Sequence, residues 1–478
     1  MKTRLFPLSI IATLAALITS CGSKEDTTPD DGNTTAAPTL VSSTPANGAT
    51  DITGTTLSVV ITMDQNVYCP SAKKSEITAG DATVSKIIAN GTTITVTLTG
   101  LEEGSGKTYT LSFPEGTISG YSSNIAAAIS ISFTMYKAVE YNMNPASSLT
   151  NSNATAKTKA LYEYLLSQYG KKTISGAMGG TAWTTAFTDE VYTYAGEYPA
   201  IVGFDYLFVH WGDTNWDPDY DDISVIKNAH DAGNIIQIGW HWNVPSSKGA
   251  ANDTWGFYAP GKHNGSTTTF DIENALTDGT WEHEVLDALI DSVGTKLKLL
   301  QDADIPVLFR PLHEAAGDYT WGAWFWWGTK GATPCVNLWK YLRDKLENTY
   351  GLNNLIWVWT AQTSSAGKKA DVSYLKEWYP GNDYVDIVGA DLYVEGGTSQ
   401  SDIFKLVNNS VEGKKMVTLS ECGSLLGPDK YFEEGAPWLY FLGWEDIGLN
   451  SGWNTAATWR AGLTNSYVLN RDDMPSTI

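Results

Sequence analysis

The 478-residue sequence predicts an α/β protein: a (β/α)8 barrel of the TIM type over residues 150–478, preceded by a small all-β sandwich over 38–136. Three observations predict it. The chain is too long for one small core, so two or three domains are expected. Between residues 38 and 135, short runs alternate apolar with polar residues and are separated by turn residues. From about residue 155 the pattern changes, and eight apolar strand-like runs recur between stretches of helical spacing.

In chain order, Lys2 and Arg4 form a basic start and residues 5–18 are apolar. That run has signal-peptide length and is short for a membrane span, so residues 1–20 are expected to be a signal. Ile18-Thr-Ser-Cys21 resembles a bacterial lipobox. The resemblance implies cleavage before Cys21 and lipidation of its thiol and new amino terminus. Glu25 and Asp26 resemble the surface-export signals of some Gram-negative lipoproteins, which implies a lipid-anchored protein on the outer-membrane surface of the cell envelope. Residues 21–37 hold almost nothing apolar and read as a flexible tether.

The sandwich is expected from strand-like runs at 57–62, 93–98, 108–113 and 129–133, with a turn at Asn90-Gly91. Its size suits an immunoglobulin-like fold. With its Thr44-Pro-Ala-Asn-Gly48 opening it resembles bacterial Ig-like domains. It shows no clustered His, Asp or Glu and no aromatic stripe, so a spacer role is expected, with glycan binding as the alternative.

The eight later runs are 173–177, 200–205, 235–240, 305–309, 355–359, 385–390, 416–420 and 439–442. Residues 156–169, 285–301 and 336–347 are helical in pattern. A doubly wound sheet is the alternative, but no Gly-rich phosphate loop accompanies these strands. A net charge of −22 argues against nucleic acid and suits a neutral substrate. Cys69, Cys335 and Cys422 show neither a disulfide framework nor metal-ligand spacing and are expected as buried free thiols.

A barrel carries its chemistry at the C-terminal ends of its strands. There the sequence places Asp205, Trp240-His241-Trp242, Arg310-Pro-Leu-His-Glu314, Trp359, Asp391-Leu-Tyr393, Ser420-Glu421-Cys-Gly423 and Trp444-Glu445. Trp321, Trp324, Trp326 and Trp327 crowd just after the fourth strand. Taken alone, that stretch fits equally a buried ion pair beneath a Trp-rich core and a sugar site. The fourth and seventh strands face each other across the mouth, so Glu314 and Glu421 form a candidate pair. Retaining glycoside hydrolysis uses such a pair ~5–5.5 Å apart, one carboxyl protonating the leaving oxygen and the other attacking the anomeric carbon. Arg310 would favour an ionised nucleophile, and poorly solvated Trp walls would keep an acid protonated. No metal or cofactor is required. His241 and His313 lack metal-site spacing and read as sugar hydroxyl partners, orienting groups or ordinary rim histidines.

The constellation resembles glycoside hydrolase family 26, a clan A family of β-mannanases. RPLHE (310–314) with WFWWG (324–328) is its most specific part. PAIVGFD (199–205), WH (240–241), YVDIVGADLY (384–393), SECG (420–423) and YVLNRDDMP (467–475) support it. The resemblance implies Glu314 as general acid/base and Glu421 as nucleophile. It implies that His313 and Trp324 shape the sugar site, that Tyr393 hydrogen-bonds the nucleophile, and that His241 and Trp444 line subsites; Arg310 is expected with them among the substrate-binding residues. The loop 315–323 is longer than the family's usual linker, which leaves Trp321 able to share the role of Trp324. The implied function is retaining endo-β-1,4-mannanase action on β-mannan. The alternatives are the same chemistry on mixed-linkage β-glucan or xylan, or a non-catalytic surface glycan-binding lipoprotein. No sequence feature points to an oligomer.

Overall fold

The computed structural model describes residues 36–136, 141–211, 218–262, 265–317, 322–361, 364–365, 368–369, 371–394, 399–425, 427–449 and 452–476. The signal, Cys21 and most of the tether lie outside the described residues, as does Trp321. Two compact units divide after Ala138.

The first unit is a sandwich. One antiparallel sheet runs Leu40–Thr44, Thr56–Met63, Thr93–Thr99, Thr83–Asn90, and the other runs Ala49–Ile52, Ile129–Met135, Thr108–Phe113. Alternation decides which face is buried. Along Thr93–Thr99, Ile94, Val96 and Leu98 are fully buried while the intervening threonines are partly exposed. They share a core with Val59, Ile61, Leu111, Ile131 and Phe133. Asn90 pairs with Thr93, so Gly91 and Thr92 make a two-residue loop, with Gly91 at φ +59°. Thr83–Asn90 was not expected as a strand. A register shift between Val84 and Lys86 breaks its two-residue period, and that period is the signal by which a strand is read.

The second unit is a closed parallel barrel of β1 (Gly176–Met178), β2 (Ile201–Asp205), β3 (Ile235–Trp240), β4 (Val307–Pro311), β5 (Leu355–Ala361), β6 (Ile387–Leu392), β7 (Met416–Cys422) and β8 (Phe441–Gly443). Those expected at either end of the series differ most. The run at 173–177 is two strands: Thr173–Ile174 pairs with Val468–Leu469 in a separate two-stranded sheet, and only Gly176 onward enters the barrel. Gly176 is required there, because a Cβ would sit 2.6 Å from the Phe441 carbonyl. The barrel unit also begins before residue 150. Asn144 and Ala146 donate backbone hydrogen bonds to Gly413 and Lys414, and the Thr150 hydroxyl donates to Asp386.

Helices fill the outer layer. Ala156–Gln168 and Trp281–Asp302 start at Thr155 and Thr280, whose hydroxyls accept from Thr158 N and His283 N. Trp281–Asp302 also carries Glu282 and Glu284 in its first turn, where the helix dipole favours them. It buries Leu286, Leu289, Ile290, Val293, Leu297 and Leu300, a stripe at three- and four-residue spacing. Ala332–Asp344 runs on into a π-helical turn, Lys345–Thr349. Cys335 and Cys422 are buried free thiols here, as Cys69 is in the sandwich.

Candidate active site

Glu314 lies three residues beyond β4, in a loop with two strained positions. Leu312 and Glu314 both hold φ near +52°, a region that non-glycine residues rarely occupy. The following tryptophans fix this turn. Trp327 Nε1 donates to the His313 carbonyl at 2.9 Å, and Trp326 Nε1 donates to the Trp242 carbonyl at 2.8 Å. Both indoles are fully buried. Trp324 is different: it is half-buried and its Nε1 donates to Glu314 Oε2 at 3.0 Å. The described tryptophans of the cluster thus divide into two core pillars and one ring against the carboxylate. Burial pushes the Glu314 carboxyl well above its ordinary range, and the charges of Asp391 and Glu421 add to that. Arg310 and the Trp324 N–H pull the other way without cancelling it.

Glu421 is the penultimate residue of β7 and is buried. Its two oxygens have different partners. Tyr393, just past β6, donates its hydroxyl to Oε1 at 2.5 Å, and Arg310 of β4 donates to Oε2. Tyr393 as a residue is 40% exposed, so a rim residue reaches inward with its polar tip. Arg310 also pairs with Asp391 Oδ2 at 2.8 Å and with Thr360 Oγ1 at 3.2 Å. The expected substrate contact by Arg310 gives way here. Its side chain is 3% exposed and its charge is committed to two carboxylates. Asp391 completes the set, accepting from Ser420 Oγ at 2.9 Å, and burial pushes its carboxyl upward despite Arg310.

A third group links β2, β3 and β4. Asp205 accepts from the His241 backbone N–H at 3.0 Å and from His241 Nδ1 at 2.8 Å. Gly239 allows this, since a Cβ there would lie 2.8 Å from Asp205 Oδ2. An ionised Asp205 can only accept, so the His241 proton sits on Nδ1. His241 Nε2 then faces His313 Nε2 at 3.2 Å. Burial disfavours the charged form of His241, but the Asp205 charge and hydrogen bond outweigh it and the net shift is upward. His313, 1% exposed and packed on Phe325 and Trp327, is held neutral by burial and by nearby Arg310. Trp444 lies beside His241 with ring centroids 5.6 Å apart.

One oxygen each of Glu314, Asp391 and Glu421 lie within 4.8 Å of one another. Three carboxylates so close resemble a cation cradle, but Arg310 already supplies a fixed positive charge to two of them. The expected residues Glu314, Glu421, Arg310, His241, His313, Trp324, Tyr393 and Trp444 therefore converge on one end of the barrel. Sequence reading named Asp205 and Asp391 only as strand ends and gave them no role. It missed Tyr258 and Trp453 altogether. Trp453 meets Tyr393 edge-on at 5.7 Å, and burial together with the charges of Glu314 and Glu421 raises the Tyr258 phenol. No motif flagged them, because their positions come from loops that only the fold brings near.

Chemistry that holds one carboxyl protonated a few ångströms from a second, between rings fit to stack a sugar face, defines a glycoside hydrolase. Within that class, the chain belongs to glycosyl hydrolase family 26, whose model matches residues 150–473; residues 34–135 match a bacterial Ig-like domain. Among curated proteins it is similar to a mannan endo-1,4-beta-mannosidase of Thermothelomyces thermophilus, 35% identical over 68% of this chain and 63% of the relative. The chain thus spans less than two thirds of that relative's length. Among solved structures it is similar to the family 26 domain of an endo-beta-mannanase/endo-beta-glucanase from Prevotella bryantii. That match has 31% identity and a TM-score of 0.62, and covers 69% of this chain and 99% of the other. It is also similar to a beta-mannanase from a symbiotic protist of the termite Reticulitermes speratus, in complex with gluco-manno-oligosaccharide. Here identity is 34% and the TM-score 0.60, covering 70% and 99% of the two chains.

Proposed function

We propose that this protein is a retaining endo-β-1,4-mannanase acting on galactomannan or glucomannan. The observation that carries this reading is the unequal carboxylate pair. Glu314, pushed upward by burial and like charge, keeps a proton to give. Glu421 takes donors on both oxygens and is held as the attacking carboxylate. One oxygen of each lies within 4.8 Å of one of the other, a closeness in keeping with the short carboxyl separation of retaining enzymes, ~5–5.5 Å, rather than the ~6.5–9.5 Å of inverting ones. Glu421 attacks the anomeric carbon while Glu314 protonates the departing oxygen. Glu314, now charged, then takes a proton from water as the glycosyl-enzyme bond is hydrolysed. Trp324 engages Oε2 of Glu314 and leaves Oε1 for the transferred proton.

The mannan preference rests on the activities for which the relatives are named. The Prevotella bryantii neighbour is named for glucanase as well as mannanase activity, which keeps mixed-linkage β-glucan as the second reading. A product time course on linear mannan, galactomannan, glucomannan, lichenan and xylan decides it. Reducing ends released from mannan, with retained anomeric configuration by NMR, support the proposal. Turnover of lichenan alone, or inversion, overturns it. Binding to mannan with no turnover would instead favour the non-catalytic reading.

We also propose that Cys21 carries a lipid that anchors the protein at the outer-membrane surface. The support is the basic start, the apolar run at 5–18, the residues before Cys21 and the acidic pair after it. Cys21→Ser should abolish labelled-palmitate incorporation and release the protein from the membrane fraction. Continued labelling would sink the idea.

A further inference from the structure

Asp205 is the last residue of β2 and is 2% exposed, too enclosed to touch a polysaccharide. A carboxylate is costly to bury and needs partners to stay there. Both of its side-chain oxygens go to one residue, His241. The barrel register sets these groups side by side: Asp205 pairs with Gly239, and Gly239 with Arg310 of β4. Asp205, His241 and His313 thus run across the ends of three neighbouring strands, and Glu314 is the next residue along the chain.

His313 sits between two strained positions. Leu312 and Glu314, on either side of it, hold φ +52°. Such residues cost ~1–3 kcal/mol each and persist only where their surroundings hold them. The Trp327 indole grips the His313 carbonyl, and Phe325 and Trp327 pack against its ring with centroids 5.2 and 5.8 Å away. The polar hold on the ring is the contact of its Nε2 with His241 Nε2 at 3.2 Å. With Asp205 keeping a proton on His241 Nδ1, the neutral pair has a lone pair on His241 Nε2, and His313 Nε2–H donates to it. The reverse arrangement would move the His313 proton to Nδ1. That atom is buried and has no partner among the described residues, and a stranded donor costs ~1–3 kcal/mol.

We propose that Asp205 is a positioning residue for the acid step: through His241 it fixes His313, and through His313 the turn that aims Glu314 at the departing oxygen. Asp205 gives no proton and touches no substrate. Its effect falls on bond cleavage that needs an acid and spares cleavage that does not. The inference rests on the retaining-mannanase reading.

The test uses the full chain and two substrates that differ only in leaving group, phenyl β-mannobioside and dinitrophenyl β-mannobioside. Their kcat/KM reports the first cleavage, in which the phenolate needs a proton from Glu314 and the dinitrophenolate departs without one. Both carry the same sugar, so altered sugar contacts or a smaller folded fraction cancel in the ratio. Asp205→Asn keeps the side-chain shape but turns one acceptor into a donor and removes the charge. It should lower the phenyl-to-dinitrophenyl ratio of kcat/KM by about tenfold, since a misplacement of ~1 Å can cost ~10²-fold. His241→Gln interrupts the same series without altering Asp205. It should lower the ratio as well, and it serves where Asp205→Asn folds poorly. Adding Asp205→Asn to His241→Gln should lower the ratio no further. An unchanged ratio in the single variants, or losses that add in the double, overturns the role of Asp205 and leaves the mannanase reading intact. A wild-type chain that cleaves neither mannobioside overturns that reading, and the role of Asp205 falls with it.

Discussion

Glu314 and Glu421 are the same residue at the ends of two parallel strands of one barrel, and their surroundings are opposite. Glu421 is gripped by a guanidinium and a phenol. Glu314 has one indole N–H, apolar walls and two negative neighbours. A carboxyl's job is therefore set by the donors around it rather than by its own identity.

The largest test removes each side of the pair. Glu314→Ala and Glu421→Ala should each lower kcat on mannan by about 10²–10⁴-fold or more. An aryl β-mannobioside with a good leaving group should separate them. It needs no acid for the first step, so Glu314→Ala should show a burst of released phenol and Glu421→Ala none. A burst from the Glu421 variant would reverse the assignment.

Next in size is the grip on Glu421. Arg310→Met leaves Glu421 and Asp391 buried without their cation, which should cost about 3–5 kcal/mol of stability by chemical denaturation. An unchanged denaturation midpoint would mean the ion pair is not buried as described. Tyr393→Phe removes only one charge-assisted hydrogen bond, worth about 1.5–3 kcal/mol. It should lower kcat more than it raises KM, and a pure KM effect would reassign Tyr393 to substrate binding.

The smaller effects are on pH. Trp324→Phe removes a donor that favours ionised Glu314, so the Glu314 carboxyl should rise further. The alkaline limb of kcat/KM should then move to higher pH, and a downward move would exclude Glu314 as the acid. Asp205→Asn removes the charge that raises His241. A histidine raised in the folded state contributes stability that is fully present below its unfolded value of about 6.5 and is lost as pH rises through the folded value. The stability gap between wild type and Asp205→Asn should therefore be widest at acid pH and narrow on the alkaline side. A gap that widens with pH would contradict a charged His241–Asp205 pair.

Much of this was legible in the chain. Apolar runs such as 235–240 match β3 residue for residue, because a strand covered on both faces is mostly apolar; its polar side chain, Gln237, is buried and accepts from the Tyr440 hydroxyl. Short strands were harder. Residues 173–177 form one apolar run but belong to two sheets, since hydrophobicity marks burial without naming the partner strand. The tryptophans after β4 could be counted but not sorted. Trp326 and Trp327 are as buried as any core residue, and among the described tryptophans of this stretch Trp324 is the one that meets the carboxylate.

By itself the sequence determined the order of most barrel strands, the division into two domains and the positions of Glu314 and Glu421 at strand ends, because hydrophobic period and turn chemistry are local. Only the tertiary structure decided which groups surround each carboxylate. The Arg310 link to Asp391 and Glu421 and the Asp205–His241–His313 series join residues far apart in the chain. Such contacts arise from barrel closure and loop packing, which leave no periodic trace in the sequence.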